Sequence, residues 1–243
     1  MVNKNLYTLL VCLFLAGCDL IDYHPYDVRI SGETDVNAHN IEQIEAKCKG
    51  KTTIRFITMG DSQRWYDETE DFVKEVNKRD DIDFVIHGGD MSDFGLTKEF
   101  LWQRDIMNGL KVPYVVLIGN HDCLGTGAET YQAVFGPTNF SFIAGNVKFV
   151  CLNTNALEYD YSEPIPNFGF MEQELTDRAD EFEKTVVSMH ILLQMCSTIM
   201  WRSRSSTTSP NIRDYSSARL PIITDSMTES FLMTMCIILS ATA

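Results

Sequence analysis

The seven cysteines contain no C-x-x-C pair, so the sequence offers neither a zinc knuckle nor a dithiol redox motif. A basic cluster is also missing. Lys and Arg number 20 against 34 Asp and Glu, a formal charge of -14, which argues against nucleic-acid backbones or anionic lipid surfaces as main partners. Phosphate substrates stay open, because bound metal ions reverse the local field. No apolar run reaches the roughly 20 residues of a membrane span. No internal repeat is visible, and glycine and histidine run out early, the last being Gly169 and His190. The remaining composition, 44% hydrophobic and 11% aromatic over 243 residues, is ample for one globular domain.

What is present is a set of three polar clusters, each closing an apolar run. Thr53-Ile54-Arg55-Phe56-Ile57-Thr58-Met59 leads into Gly60-Asp61-Ser62-Gln63, and Asp83-Phe84-Val85-Ile86-His87 into Gly88-Gly89-Asp90-Met91-Ser92-Asp93. Tyr114-Val115-Val116-Leu117-Ile118 leads into Gly119-Asn120-His121-Asp122. Each reads as a buried strand ending in a polar loop. Between them, residues 67–78 and 97–110 place apolar side chains at helical intervals, and an alternation of strand and helix predicts a parallel or mixed sheet. In such sheets the carboxyl ends of the strands gather ligands. Asp and Asn also open turns and cap helices, so one such cluster would carry little. Three of them, bearing Asp, Gln, Asn and His without thiolate, suit manganese, magnesium, zinc or ferrous iron.

In order and spacing the clusters resemble the calcineurin-like metallophosphoesterases, whose motifs are D-x-H/Q, G-D-x-x-D/E and G-N-H-D/E, then an isolated His after a strand, then G-H-x-H. The resemblance implies an α/β fold, a four-layer sandwich of two mixed β-sheets flanked by helices. It implies that Asp61 and Gln63 hold one divalent ion, Asp90 bridges to a second, and Asn120 and His190 hold that second ion. Gln63 is the less usual residue at its position, so the metals are left as manganese, iron, zinc or magnesium. His190 follows the run Thr185-Val186-Val187-Ser188-Met189 and takes its weight from the other motifs. His121 would stabilise developing charge or protonate the leaving oxygen, with Asp122 orienting it. Asp93 is read as supporting or capping, and His87 as packing. The implied substrate is a phosphate monoester or diester. Two cations about 3.5 to 4 Å apart clamp such a group and lower the pKa of water from about 15.7 towards about 7.

The two ends of the chain read differently. Lys4, the apolar stretch 9–15 and Leu15-Ala16-Gly17-Cys18 form an export signal ending in what resembles a bacterial lipobox. The expected product is a lipoprotein acylated at Cys18 and anchored to a bacterial membrane. The expected domains are a signal peptide at 1–17, an anchor and polar spacer at 18–50, in which Ile41, Ile44 and Cys48 can form a short amphipathic helix, the phosphoesterase domain at 51–192, and a tail at 193–243. Further along, 149–153 reads as a strand and 170–183 as a helix. Tyr131, Phe135, Tyr159 and Tyr161 are open to either packing or a substrate pocket. Past His190 the family pattern stops: neither H-x-P-P nor G-H-x-H is found. A shifted reading frame would permit Pro-Pro soon after His190 and H-x-H near 220–225, so the tail is read as out of frame and the domain as truncated. The alternative function is a catalytically inactive product or binding lipoprotein with a partial metal site.

Overall fold

The computed structural model describes residues 24–155 and 167–191, and the backbone of 236–240. The first half runs α1 (Val36–Cys48), β1 (Phe56–Met59), α2 (Tyr66–Val76), β2 (Phe84–His87), α3 (Thr97–Met107), β3 (Tyr114–Val116) and α4 (Gly127–Phe135). The second half runs β4 (Phe140–Ala144), β5 (Val147–Leu152), α5 (Phe168–Glu174), β6 (Lys184–Met189) and β7 (Cys236–Ser240). Strands β1, β2 and β3 form a parallel sheet in that order, and β4-β5-β6-β7 form a mixed sheet in which only β5 and β6 are parallel.

Side-chain alternation along the strands sorts the core into three layers of contact. On β2 and β3, Phe84, Ile86 and Val115, with Leu117 just past the end of β3, face Phe140, Phe142, Phe149, Cys151 and Val186 of the other sheet. Their neighbours Val85, Tyr114 and Val116 face the opposite way, onto Val73 and Val76 of α2, Phe100 and Met107 of α3, and Tyr131, Val134 and Phe135 of α4. On the far side, Val150, Leu152, Val187 and Met189 meet Phe170 and Met171 of α5. This period of two produces helix, sheet, sheet, helix, the expected four layers. Between the sheets, Phe84 stacks on Phe56 at 5.3 Å and meets Phe142 edge-on at 5.6 Å, while Phe142 stacks on Phe149 at 4.9 Å. Such aromatic pairs stabilise by about 0.5–1.5 kcal/mol each beyond area burial.

The segment read as a spacer belongs in part to this core. Helix α1 buries Val36 in the helical layer and Ile44 and Cys48 between the sheets. Its Asn37 Nδ2 donates to the Val116 carbonyl at 2.9 Å, and the Val116 amide donates back to Asn37 Oδ1 at 2.8 Å. Among the described strands β3 lies at the edge of its sheet, and this one amide satisfies the outward-facing backbone groups of Val116 there. The core therefore begins at Val36 and not near Lys51.

Helix α5 is shorter than the expected 170–183. Lys148 Nζ, almost fully buried, donates to the carbonyls of Glu174 at 2.9 Å and Asp177 at 2.7 Å and pairs with the Glu174 carboxylate at 2.8 Å. A buried ammonium drawing in the last carbonyls turns the chain, and Leu175 is left exposed. In the tail, Cys236–Ser240 pairs antiparallel with β6. No helical or alternating period marks it in the sequence, as expected of a short, continuously apolar strand. The signal segment with Cys18, Tyr159 and Tyr161, and the rest of the proposed out-of-frame tail lie outside the described residues. Tyr131 and Phe135 are fully buried, which settles them as packing residues.

Candidate metal centre

The loops after β1 and β2 are laced together through their backbones, and the loop after β3 joins them through the His121 amide on Asp90 Oδ1 and the Ser92 amide on Asp122 Oδ1. The Gly88 amide donates to Met59 O at 2.6 Å, Asp61 N to Gly89 O at 3.0 Å, and Gln63 N to Asp90 O at 3.0 Å. To reach this arrangement Asp61, Gln63 and Asp90 take left-handed backbone angles, with φ of 55°, 34° and 56°. Such angles are uncommon outside glycine and gather at functional sites. Two motif glycines are explained by proximity. A Cβ on Gly119 would run into the amide and carboxylate of Asp90, and one on Gly89 would sit 2.8 Å from the Gly119 backbone and from His190 Nδ1.

The side chains converge across the two sheets. One ligand atom each from Asp61, Asp90 and His190 lies within 4.8 Å of the others, the geometry of a cation site. His190, at the carboxyl end of β6, brings Nε2 to 2.9 Å from Asn120 Oδ1 and 3.4 Å from Asp90 Oδ1. Its Nδ1 donates to the Gly88 carbonyl at 3.0 Å, fixing the ring with Nε2 turned to the oxygens. Gln63 Nε2 reaches Asp90 Oδ2 at 3.4 Å. Four of the five expected ligands thus surround the Asp90 carboxylate: His190 and Gln63 contact it, Asp61 lies within the cluster, and Asn120 meets it through His190.

Electrostatics show what this cluster favours. Burial pushes Asp61 above the usual carboxylate range, helped by the charge of Asp90 and opposed by His190. Asp90 is also pushed up by burial, but the hydrogen bond and charge of His190, with the His121 amide at 2.9 Å, outweigh this and hold it low. Burial opposes charge on His190 too, yet Asp90, the Gly88 carbonyl and Asp61 raise it to about 9. A proton on Nε2 therefore stands among oxygens that suit a divalent cation. The donor set fits the metals its chemistry implies.

The model of the calcineurin-like phosphoesterase family matches residues 54–215, two thirds of the sequence. The chain belongs to the calcineurin-like phosphoesterase family. The match extends beyond His190, where the recognisable motifs end. No curated protein matches the chain. Among solved structures, a purple acid phosphatase from yellow lupin seeds (Lupinus luteus) is similar, with 18% identity and a TM-score of 0.40. The similarity covers 55% of this chain and 30% of the lupin protein, so the chain spans less than a third of that length.

In this member of the family the supporting residues differ from the expectation at one point. The Asp122 carboxylate does not meet His121. It is fully buried and accepts from Ser92 N at 2.7 Å, Ser92 Oγ at 2.9 Å and Gly119 N at 2.9 Å. Burial pushes its pKa up against these donors. Asp122 thus ties the second motif to the third, while the residue that positions His121 is Asp93, whose carbonyl accepts from His121 Nδ1 at 2.8 Å. Neighbouring residues in a short 3₁₀ turn point apart, which is why adjacency misled.

His87 is a buried strut, as expected. The Gly89 amide donates to its Nδ1 at 3.3 Å, leaving Nε2 to donate to Ser62 Oγ at 2.9 Å. Burial, with the charge of His190, drives its pKa down to about 3, so it stays neutral while bracing the first and second loops. Gln103 of α3, fully buried, was not singled out in the sequence. Its Nε2 donates to the Gln63 carbonyl at 2.8 Å. Only its spacing on an inward helical face could have indicated it.

Proposed function

We propose that this chain is a metal-dependent phosphoesterase that hydrolyses a phosphate monoester or diester at a centre of two divalent ions. The observation that supports this most is the convergence of Asp61, Asp90 and His190 within 4.8 Å at the carboxyl ends of strands from both sheets. Asp61 and Gln63 would hold one ion and Asn120 and His190 the other, with Asp90 between them. When bound, the ions supply charge that draws in the ester and acidity that makes water a nucleophile. The chain's own residues do the rest. The Gly88 carbonyl keeps Nε2 of His190 available, and the Asp93 carbonyl holds Nδ1 of His121, leaving Nε2 of His121 to give a proton to the departing oxygen.

Titration with manganese and hydrolysis of bis-p-nitrophenyl phosphate test this reading. Two bound ions and turnover that disappears in Asp90→Ala are the expected result; a folded protein that binds no manganese overturns it. A second reading, an inactive metal-binding lipoprotein, is favoured by the absence of any histidine after His190, which leaves the G-H-x-H pair unfilled. Two bound ions without turnover would select it. Export and acylation at Cys18 form a separate proposal, resting on the lipobox-like sequence. Labelling with a fatty-acid analogue that persists in Cys18→Ala would refute it.

A further inference from the structure

We propose that Arg64 and Phe94 form a platform at the rim of this centre that selects phosphate esters with a planar aromatic leaving group. The inference rests on the phosphoesterase reading above and adds the substrate class. Arg64 follows the candidate ligand Gln63. Its Nη2 pairs with Asp93 Oδ2 at 2.5 Å, where the guanidinium is 65% exposed and the carboxylate only 5%. The same Asp93 holds the ring of His121 through its carbonyl. One residue therefore fixes both groups: the Asp93 carbonyl holds the candidate proton donor and its buried carboxylate holds the guanidinium beside it. The ion pair engages one edge of the guanidinium, and its remaining N–H groups stay available for phosphate oxygens.

Phe94 completes the surface. Its ring centroid lies 6.0 Å from the Arg64 guanidinium carbon. The ring is 53% exposed and contributes little to the core. Single exposed apolar side chains are ordinary. The backbone that carries this one is pinned: its amide donates to the buried Glu99 carboxylate at 3.0 Å. The next residue, Gly95, has φ of 70°, and a Cβ there would collide with the Leu124 carbonyl. An exposed ring on a pinned backbone, with a cation over it and that cation tied to the residue holding His121, matches an anionic phosphate carrying a flat π-system. Ring stacking and the cation together recognise the aromatic part while the phosphate meets the centre.

The test uses the full chain in detergent with manganese and calorimetric titration of phosphonates, which cannot be hydrolysed. Phenylphosphonate is expected to bind about 3- to 10-fold more tightly than methylphosphonate. Phe94→Ala should erase that preference and leave methylphosphonate affinity unchanged, Phe94→Tyr should keep it, and Arg64→Gln should weaken both ligands. Equal affinities in the parent protein, a preference surviving Phe94→Ala, or unchanged binding in Arg64→Gln overturns the platform while methylphosphonate binding upholds the centre. Binding of neither phosphonate overturns the centre and the platform with it.

Discussion

Replacing Gly119 by alanine separates steric support of the centre from backbone strain. The φ of Gly119 lies outside the left-handed region, so alanine carries no conformational penalty there. The whole cost comes from a methyl group thrust into the amide nitrogen, Cα and carboxylate of Asp90, a backbone neighbour that cannot swing aside. Overpacking of this kind costs about 1–3 kcal/mol, which lowers the melting temperature by roughly 2 to 12 °C for a domain of this size. Because the displaced group is the carboxylate at the middle of the candidate cluster, manganese affinity should fall roughly 10- to 100-fold, as when groups supporting a metal ligand are removed. Gly50→Ala is the control. Its φ is 75° and nothing lies within 4 Å of an added Cβ, so it should cost about 1–2 kcal/mol through strain alone and leave metal affinity intact. Circular dichroism melts in chelator and calorimetric manganese titrations read both quantities. Wild-type manganese affinity in Gly119→Ala, or an equal loss in Gly50→Ala, would refute the reasoning.

Two further outcomes follow from other contacts. His190 has its pKa raised to about 9, against about 6.5 for an ordinary histidine. It therefore stabilises the metal-free fold fully below pH 6.5 and loses that contribution as pH rises through 9, by about 1.4 kcal/mol per unit. Urea titrations in chelator between pH 6.5 and 9 should show this slope, and His190→Gln should flatten it; an unchanged slope in the variant sinks the assignment. Asn37→Leu strips both hydrogen bonds from the buried Val116 backbone, at about 1–3 kcal/mol for each unsatisfied group. A melting temperature within a degree of the parent would show that α1 does not secure the sheet edge.

What could be read from the sequence follows a physical division. Strand ends were legible because unbroken apolar runs gave way to short polar loops, so Asp61, Asp90 and Asn120 could be placed without coordinates. Contacts between distant polar groups left no such trace. Asn37 works through Val116, 79 residues away, and looks in the sequence like any polar residue of a solvated segment. Lys148 ends α5 from within a neighbouring strand, and Gln103 acts on a carbonyl 40 residues before it. Hydropathy registers a buried amide or ammonium as surface, so these were missed for one reason. Asp122 failed differently, since its neighbour in the chain is not its partner in space.

The strain in the centre decides how separable its chemistry is from its fold. Of the five described non-glycine residues with positive φ, three are Asp61, Gln63 and Asp90, all candidate ligands. Sparsely populated angles cost about 1–3 kcal/mol each unless the surroundings over-determine them, and aspartate, which tolerates them best, holds two of the three. Here the over-determination is by main-chain bonds, from Asp61 N to Gly89 O and from Gln63 N to Asp90 O. These do not use the carboxylates. A variant such as Asp90→Ala gives up a ligand and the contacts of its carboxylate with His190 and the His121 amide, yet the bonds that fix the loop conformation remain. The loop conformation is therefore held by bonds that none of the candidate ligand side chains supplies. Loss of metal binding in that variant would report on the missing ligand and not on collapse of the loops that carry it.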